Sequence, residues 1–444
     1  MSKKTLAQNG LKSKKGLSET QLAWVLVAPA LIVICAIALF PVLRTFYLSL
    51  FDLRLNHPSK NQTQFSYQIN IERWADANYR FDKTIKACLE TETDRFIVSE
   101  LEDIQSEYSL LIEQVSKDAA VKEQYQQVWD LQAAMATIPD ALQYAKVDEL
   151  QTKNLREKVL DLQKRLYALE ETASDGKSVK LAAQIYDDIL YAIVSPNFVG
   201  LENYFNYFKD DRMWSSLGRT LWFAGCAVAF EMIIGLAIAV LMNRTFKGRG
   251  IVRATVLVPW AIPASVSALI WRFMYDGQYG VVSTFFASIG IVDSPGQVLT
   301  DGTTAMFALT FADIWKTSPY VSLLLLAGLQ SIDTSYLEAA RVDGANKVQA
   351  FFKITLPMLK PSILVALMFR SMDALRVFDL VSVMTGGGPS NGTEVISLYT
   401  YKTMFGNMLF GQGSALSVII FICLAVFCIC YIKILGVDLI KVDK

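Results

Sequence analysis

The chain has 444 residues, 53% hydrophobic and 19% charged, with a mean hydropathy of +0.32. That is too apolar for an ordinary soluble protein and too charged for one embedded in lipid throughout. Lys+Arg and Asp+Glu number 42 each, so net charge says nothing about partners and the distribution along the chain must be read instead.

Five lysines (Lys3, Lys4, Lys12, Lys14, Lys15) precede the first of six apolar runs, at 22–50, 217–242, 251–275, 303–331, 361–384 and 412–435. A bilayer crossing needs roughly 20 mostly apolar residues. The first run is too long for a signal peptide and lacks a small-residue cleavage site, so it reads as a retained anchor. A polar region of about 52–195 follows. In it Leu101, Ile104, Tyr108, Leu111 and Val115, then Leu155, Val159, Leu162, Leu166 and Leu169, recur at three- and four-residue spacing. Such seams predict long amphipathic helices, here an antiparallel, hairpin-like and coiled-coil-like unit over 65–192, interrupted at Pro139.

Beyond the second run the loop carries Arg244, Lys247, Arg249 and Arg253, while 276–302 carries Asp276, Asp293 and Asp301 with no Lys or Arg. Arg341, Lys347, Lys353 and Lys360 lie between the fourth and fifth runs. Basic residues favour the cytoplasmic side, which places both termini there and the 52–195 insertion outside. Pro263 and Pro319 interrupt apolar runs, where neighbours or water must satisfy the freed carbonyls. The fourth run contains Asp313 and Lys316, and the fifth Arg370, Asp373, Arg376 and Asp379. Charge at that depth faces a bundle interior or a wet cavity and pairs up. The three-residue spacings bring Arg370 near Asp373 and Arg376 near Asp379. These groups suit either an ion-pair ladder between helices or a cavity for a hydroxyl-rich solute, with Trp315 and Tyr320 offering rings and a hydroxyl.

Cys35, Cys226, Cys423, Cys428 and Cys430 fall in or beside apolar runs, leaving Cys88 alone in the polar region, so neither a zinc site nor a disulfide framework is indicated. GGGPSNG is followed by Thr393 and Glu394 rather than Lys, which is no phosphate loop. With His57 the single histidine, no catalytic triad is plausible. No catalytic residue and no metal ligand is assigned, and energy must come from an ion gradient or another subunit.

Between the fourth and fifth runs stands EAARVDGANKVQAFFKITLP, 338–357. Its Glu338-Ala339-Ala340, Asp343-Gly344-Ala345, Ile354 and Leu356-Pro357 resemble the EAA coupling loop of ATP-binding cassette importer permeases. NFVGLENYFNYF, VLVPWAIPASVSALIWRFMY and DALRVFDLVSVMTGGGP extend the resemblance to the type I carbohydrate permeases, over 22–50 and 196–435. The resemblance implies an all-α membrane protein with six transmembrane helices in the type I importer permease architecture. The helical extracytoplasmic insertion after the first is read from the seams and departs from the family, whose maltose-type members carry their large external loop later in the chain. It implies a short helix from Glu338, a turn at Gly344, and a second helix running toward a stop at Leu356-Pro357, gripped by a cytoplasmic ATPase. Carried onto this chain, its solute-path positions fall on Asp313, Lys316, Thr317, Tyr320, Arg370 and Asp373, with Ala374 and Val377 offering little hydrogen bonding.

The expected organisation is a basic tail (1–21), a first span (22–50), the insertion (52–195), a permease core (196–435) with its coupling loop at 332–362, and a cytoplasmic tail (436–444). The resemblance implies a bacterial inner-membrane subunit importing a di- or oligosaccharide such as maltose or trehalose. Its partners would be two ATPase subunits that bind the ATP and Mg, a second and different permease, an external solute-binding protein and membrane lipid, with no nucleic acid. Rival expectations are a glycerol phosphate permease, a proton-coupled secondary transporter, and a membrane-anchored coiled-coil protein.

Overall fold

The computed structural model describes residues 18–435 apart from 58 and 118. The five N-terminal lysines and residues 436–444 lie outside the described residues. Among the described residues four helices are long and apolar enough to cross a membrane: α1 (Ala23–Leu48), α8 (Asp211–Asn243), α13 (Lys347–Ala374) and α15 (Phe410–Lys433). A fifth crossing would be α9 (Arg249–Ala261) with α10 (Ala264–Met274), bent by 90°. The sixth expected span, α11 (Gly302–Gln330), has the length at 29 residues but carries Asp313 and Lys316 at its middle.

The third apolar run is therefore not one straight span. Pro263 lacks an N–H and crowds the residue before it. Ile262 accordingly sits at ψ 132, and the helix restarts at Ala264. The fifth span is also displaced from the expected 361–384. Helix α13 starts at Lys347 and ends at Ala374, and α14 (Asp379–Met384) is a separate short helix.

Leu356-Pro357 does not stop the second coupling helix. A widened π turn over Phe351–Thr355, with the Leu356 N–H bonded to the Phe351 carbonyl, precedes the proline. The same arrangement recurs in α1, where a π turn at Cys35–Leu39 precedes Pro41. A proline ring collides with the carbonyl four residues back, and a wider turn moves that carbonyl aside, so the helix passes through.

The insertion is more than the expected hairpin. Five long helices, α2 (Ile71–Thr91), α3 (Arg95–Val115), α4 (Ala119–Ala133), α5 (Glu149–Leu169) and α6 (Gly176–Ala192), pack around one core. Both apolar seams read from the sequence are buried in it. Phe81, Tyr108 and Tyr186 pack edge to face at its centre, 4.8 to 5.3 Å between ring centroids. Asn70, Asp94, Asp148 and Asp175 cap the starts of α2, α3, α5 and α6 by accepting from first-turn N–H groups. Arg165 of α5 ties α3 with bonds to Glu100, Asp103 and Glu107. Strands β1 (Gln68–Asn70), β2 (Tyr144–Lys146) and β3 (Ile193–Val194) form an antiparallel sheet in the order β2-β1-β3.

Two asparagines of NFVGLENYF fasten the insertion to the spans. Asn197 accepts from the Gln64 N–H (2.8 Å) and donates to the Gln62 carbonyl (2.8 Å). Asn203, on α7 (Glu202–Phe208), donates to the carbonyls of Ser49 and Phe51 (2.9 and 3.0 Å). Within the spans α8 lies against α11 so closely that a Cβ on Gly235 would stand 2.7 Å from Val321 Cγ1.

Candidate functional site

Three helices bring four charged groups to one point. Glu231 comes from the middle of α8, Asp313 from α11, and Arg370 and Asp373 from adjacent turns of α13. The Arg370 guanidinium donates to Glu231 through Nε and Nη2 (Nη2–Oε1 2.9 Å), to Asp313 through Nη2, and to Asp373 through Nη1 (3.0 Å). Thr317, one turn beyond Asp313 on the same face, donates to Glu231 Oε1 at 3.0 Å. Arg370 is 2% exposed and Glu231 fully buried, whereas the Asp373 side chain is 65% exposed. A guanidinium survives such burial when acceptors meet its planar fork, and here four of its five N–H donors have one. The formal count is three carboxylates to one cation.

Glu231 was not among the residues singled out from sequence. The signal was present, since it is the one acidic residue in the 217–242 run. The second expected pair does not form: Arg376 lies beyond the end of α13 and donates to the Met372 carbonyl (3.2 Å), while Asp379 opens α14. The spacing rule holds only within one helix, and the chain leaves the helix between them. Ala374 is buried and Val377 half-buried.

Lys316 and Tyr320 lie on the same stripe of α11 as Asp313 and Thr317 but bond to other partners. Lys316 Nζ donates to the carbonyls of Ile262 (2.5 Å) and Trp260 (3.4 Å), where α9 ends at the bend. The last carbonyls of a helix lack intrahelical donors, and this ammonium supplies one. The Tyr320 ring stacks on Trp260, 5.5 Å between centroids at 16°. The six expected path residues thus divide into two groups: Asp313, Thr317, Arg370 and Asp373 gather around Glu231, and the other two secure the broken helix.

The coupling segment is a compact helix–turn–helix. Asp333 caps α12 (Thr334–Val342), which contains Glu338, Ala339 and Ala340, and Asp343 follows it. Gly344 adopts φ +82, with its N–H on the Arg341 carbonyl (3.1 Å) and the Ala345 N–H on the Ala340 carbonyl (2.9 Å). This pair of bonds is the Schellman closure, which needs a left-handed residue at that point. Asn346 and Gln349 then exchange bonds of 2.8 and 2.9 Å in a capping box that starts α13. Only Ala340 of Glu338, Ala339 and Ala340 is buried, and Val342 and Val348 are 87% and 64% exposed. Ile354 and Leu356 are half-buried and Pro357 is exposed.

MTGGGP forms a tight loop between α14 and the last span, closed by Thr393 Oγ1 donating to the Gly388 carbonyl (2.7 Å). Next to it Glu394, fully buried, accepts two bonds from Arg212 (2.8 and 2.9 Å) and one from Lys402 (2.9 Å). Burial pushes this carboxyl up, but the hydrogen bonds and charges of Arg212 and Lys402 outweigh it and hold it below its ordinary value.

The family described as "Binding-protein-dependent transport system inner membrane component" matches residues 231–436. The trehalose/maltose transport system permease protein MalF of Thermococcus litoralis is 42% identical over 250 residues, 56% of this chain and 83% of that protein. The trehalose transport system permease protein SugA of Mycobacterium tuberculosis is 40% identical over 247 residues, 55% of this chain and 78% of that protein. The sulfoquinovosyl glycerol transport system permease protein SmoG of Agrobacterium fabrum is 39% identical over 229 residues, 50% of this chain and 72% of that protein. The residues matched by the family hold all four charged groups of the cluster and the whole coupling segment. The chain belongs to the inner-membrane components of binding-protein-dependent transport systems: it is a permease subunit of an importer.

Proposed function

We propose that this permease passes an uncharged sugar, a di- or oligosaccharide of the trehalose or maltose kind, along the face of α11 and α13 that carries Asp313, Thr317, Arg370 and Asp373. The observation that supports the uncharged character is that three carboxylates take four of the five N–H donors of Arg370. An anionic solute needs a cation with free donors, and Lys316, the neighbouring cation, gives two of its three to backbone carbonyls. The three carboxylates around Arg370 leave a formal excess of negative charge that repels an anion and offers acceptors to hydroxyls. Similarity to trehalose and maltose permeases supports the sugar class, and the relative named for sulfoquinovosyl glycerol, whose solute carries a sulfonate, makes solute charge worth deciding from the site itself.

In this reading the coupling segment, with Glu338, Asp343 and Gly344 at its turn, is gripped by one of two cytoplasmic ATPase subunits that bind ATP and Mg. The exposed Val342 and Val348 give that contact its apolar surface. A second, different permease completes the path, and an external binding protein delivers the solute. Both termini are cytoplasmic and the insertion is external.

The test is reconstitution of this chain with its partners in liposomes, scoring uptake and solute-stimulated ATPase activity. Trehalose or maltose should stimulate both, while sn-glycerol 3-phosphate and a sulfonated sugar should stimulate neither. Uptake without ATP that collapses with an ionophore would instead identify a secondary transporter, and preferential uptake of the anions would overturn the uncharged assignment.

A further inference from the structure

A cavity of about 530 Å³ lies between the coupling segment and the ends of α8 and α11. Arg244, Arg341 and Lys347 line it beside Leu337, Phe351 and Phe352, and no Asp or Glu lines it. Among the described residues none of these three cations has an ion pair or a side-chain hydrogen bond. Glu338 and Asp343, although on the same segment, are absent from the lining.

Three like charges around one cavity repel one another unless an anion sits among them. The cost is sharpest at Lys347, the first residue of the 28-residue helix α13, where the helix dipole already places positive charge. The capping box serves the N–H groups of Asn346 and Gln349 but leaves those of Lys347 and Val348 without an intrahelical acceptor. Arg244 arrives from the end of α8 and Arg341 from the end of α12, so three separate elements converge on the cavity.

We propose that this cavity binds the phosphodiester of an anionic phospholipid. The basic groups match the phosphate, and the apolar wall of Leu337, Phe351 and Phe352 matches the glycerol and the first acyl carbons. Basic cavities between spans at the cytoplasmic surface recognise such headgroups by this division of labour. A soluble phosphate would use the cations and leave the apolar wall against water. The proposal takes from the reading above only that the coupling segment faces the cytoplasm. Its mechanical meaning is that a lipid wedged there braces the coupling turn against its own spans.

The assembled importer, purified in mild detergent and stripped of lipid, should be titrated with phosphatidylglycerol or phosphatidylcholine, counting bound lipid by native mass spectrometry. Phosphatidylglycerol should be retained in preference. Arg244→Gln should weaken that retention about fivefold, and adding Lys347→Gln about fivefold again, at about one kcal/mol per basic group. Phosphatidylcholine binding should not change. If the double variant does not assemble, Arg244→Gln alone reads the effect, because Arg244 lies outside the coupling segment. Equal retention of the two lipids by the unsubstituted complex, as when an acidic ATPase side chain fills the cavity, would overturn the proposal. So would retention indifferent to the substitutions, or complete displacement of the lipid by millimolar inorganic phosphate. Lipid retention is read without transport, so its failure leaves the sugar assignment standing, and a failed sugar assay leaves the lipid result readable.

Discussion

Arg370 shows how far a single side chain is specified by its surroundings. Removing one partner of a buried ion pair leaves uncompensated charge and costs about 3–5 kcal/mol. Arg370→Gln would leave Glu231 facing Asp313, so the thermal unfolding midpoint in detergent should fall sharply. Adding Glu231→Gln should recover part of the loss, because the two residues share the interaction. Strictly additive losses would show that they do not. Gly344 is a different case. No heavy atom lies within 4 Å of where its Cβ would stand, so only the backbone angle of φ +82 resists substitution. Holding an L-residue there costs about 1–2 kcal/mol, more for a β-branched one. Gly344→Val should therefore deform the coupling turn without collisions, leaving ATPase activity that no longer drives uptake. Unchanged uptake per ATP would remove the turn from coupling. Asp313, Lys316, Arg370 and Asp373 were legible in the sequence because charge is conspicuous in an apolar run. What Lys316 does was not, because its acceptors are carbonyls more than fifty positions earlier.

At the scale of elements, periodicity located two of the five long helices of the insertion. The seams of α3 and α5 are buried residue for residue, since a core-facing stripe must recur every three or four positions. Helix ends and joints were less legible. A proline reports that something must give, but the same residue type yields a right-angled break at Pro263 and a widened turn before Pro357. At Pro263 the chain breaks and Lys316 meets the helix-end carbonyls, whereas before Pro357 the wider turn keeps the backbone bonded within the helix. The loop carrying MTGGGP is held by Glu394, and its clamp has a defined pH dependence. Its carboxyl titrates lower in the folded chain than the ordinary value of 4.5, so the stabilisation is fully present above that value and fades as pH falls through the folded one. Glu394→Gln should therefore lower stability at neutral pH and flatten the acid limb of a melting-temperature profile. A parallel acid limb in the variant would show that other groups carry it.

For the whole molecule, equal numbers of basic and acidic residues concealed a strong segregation of charge along the chain. The apolar runs outlined the membrane part, and the length of the polar region between the first two announced a separate unit. The packing of that unit was beyond pattern reading, because it depends on which seams face one another. Its attachment suggests a direct experiment. Gln68 of β1 pairs with Val194 of β3, so the chain leaves and re-enters at neighbouring positions. Replacing 69–193 by a short Gly/Ser linker should leave the importer able to assemble, since Asn197 and Asn203 fasten residues outside the excised part. Loss of binding-protein affinity in that variant would make the insertion a docking arm, and full uptake would make it a spacer.

Helix α13 runs without interruption from the coupling turn at Lys347 past Arg370. At 1.5 Å per residue that is about 35 Å of continuous rod. A push delivered at one end would therefore reach the guanidinium past two compliant places, the loosened coil before Pro357 and the missing backbone bond at Pro361. Tightening that coil would turn everything above it by about 100° per residue absorbed. The same motion that shifts the handle would swing Asp373 around the shaft and, on the proposed path, exchange the wall that the cargo meets.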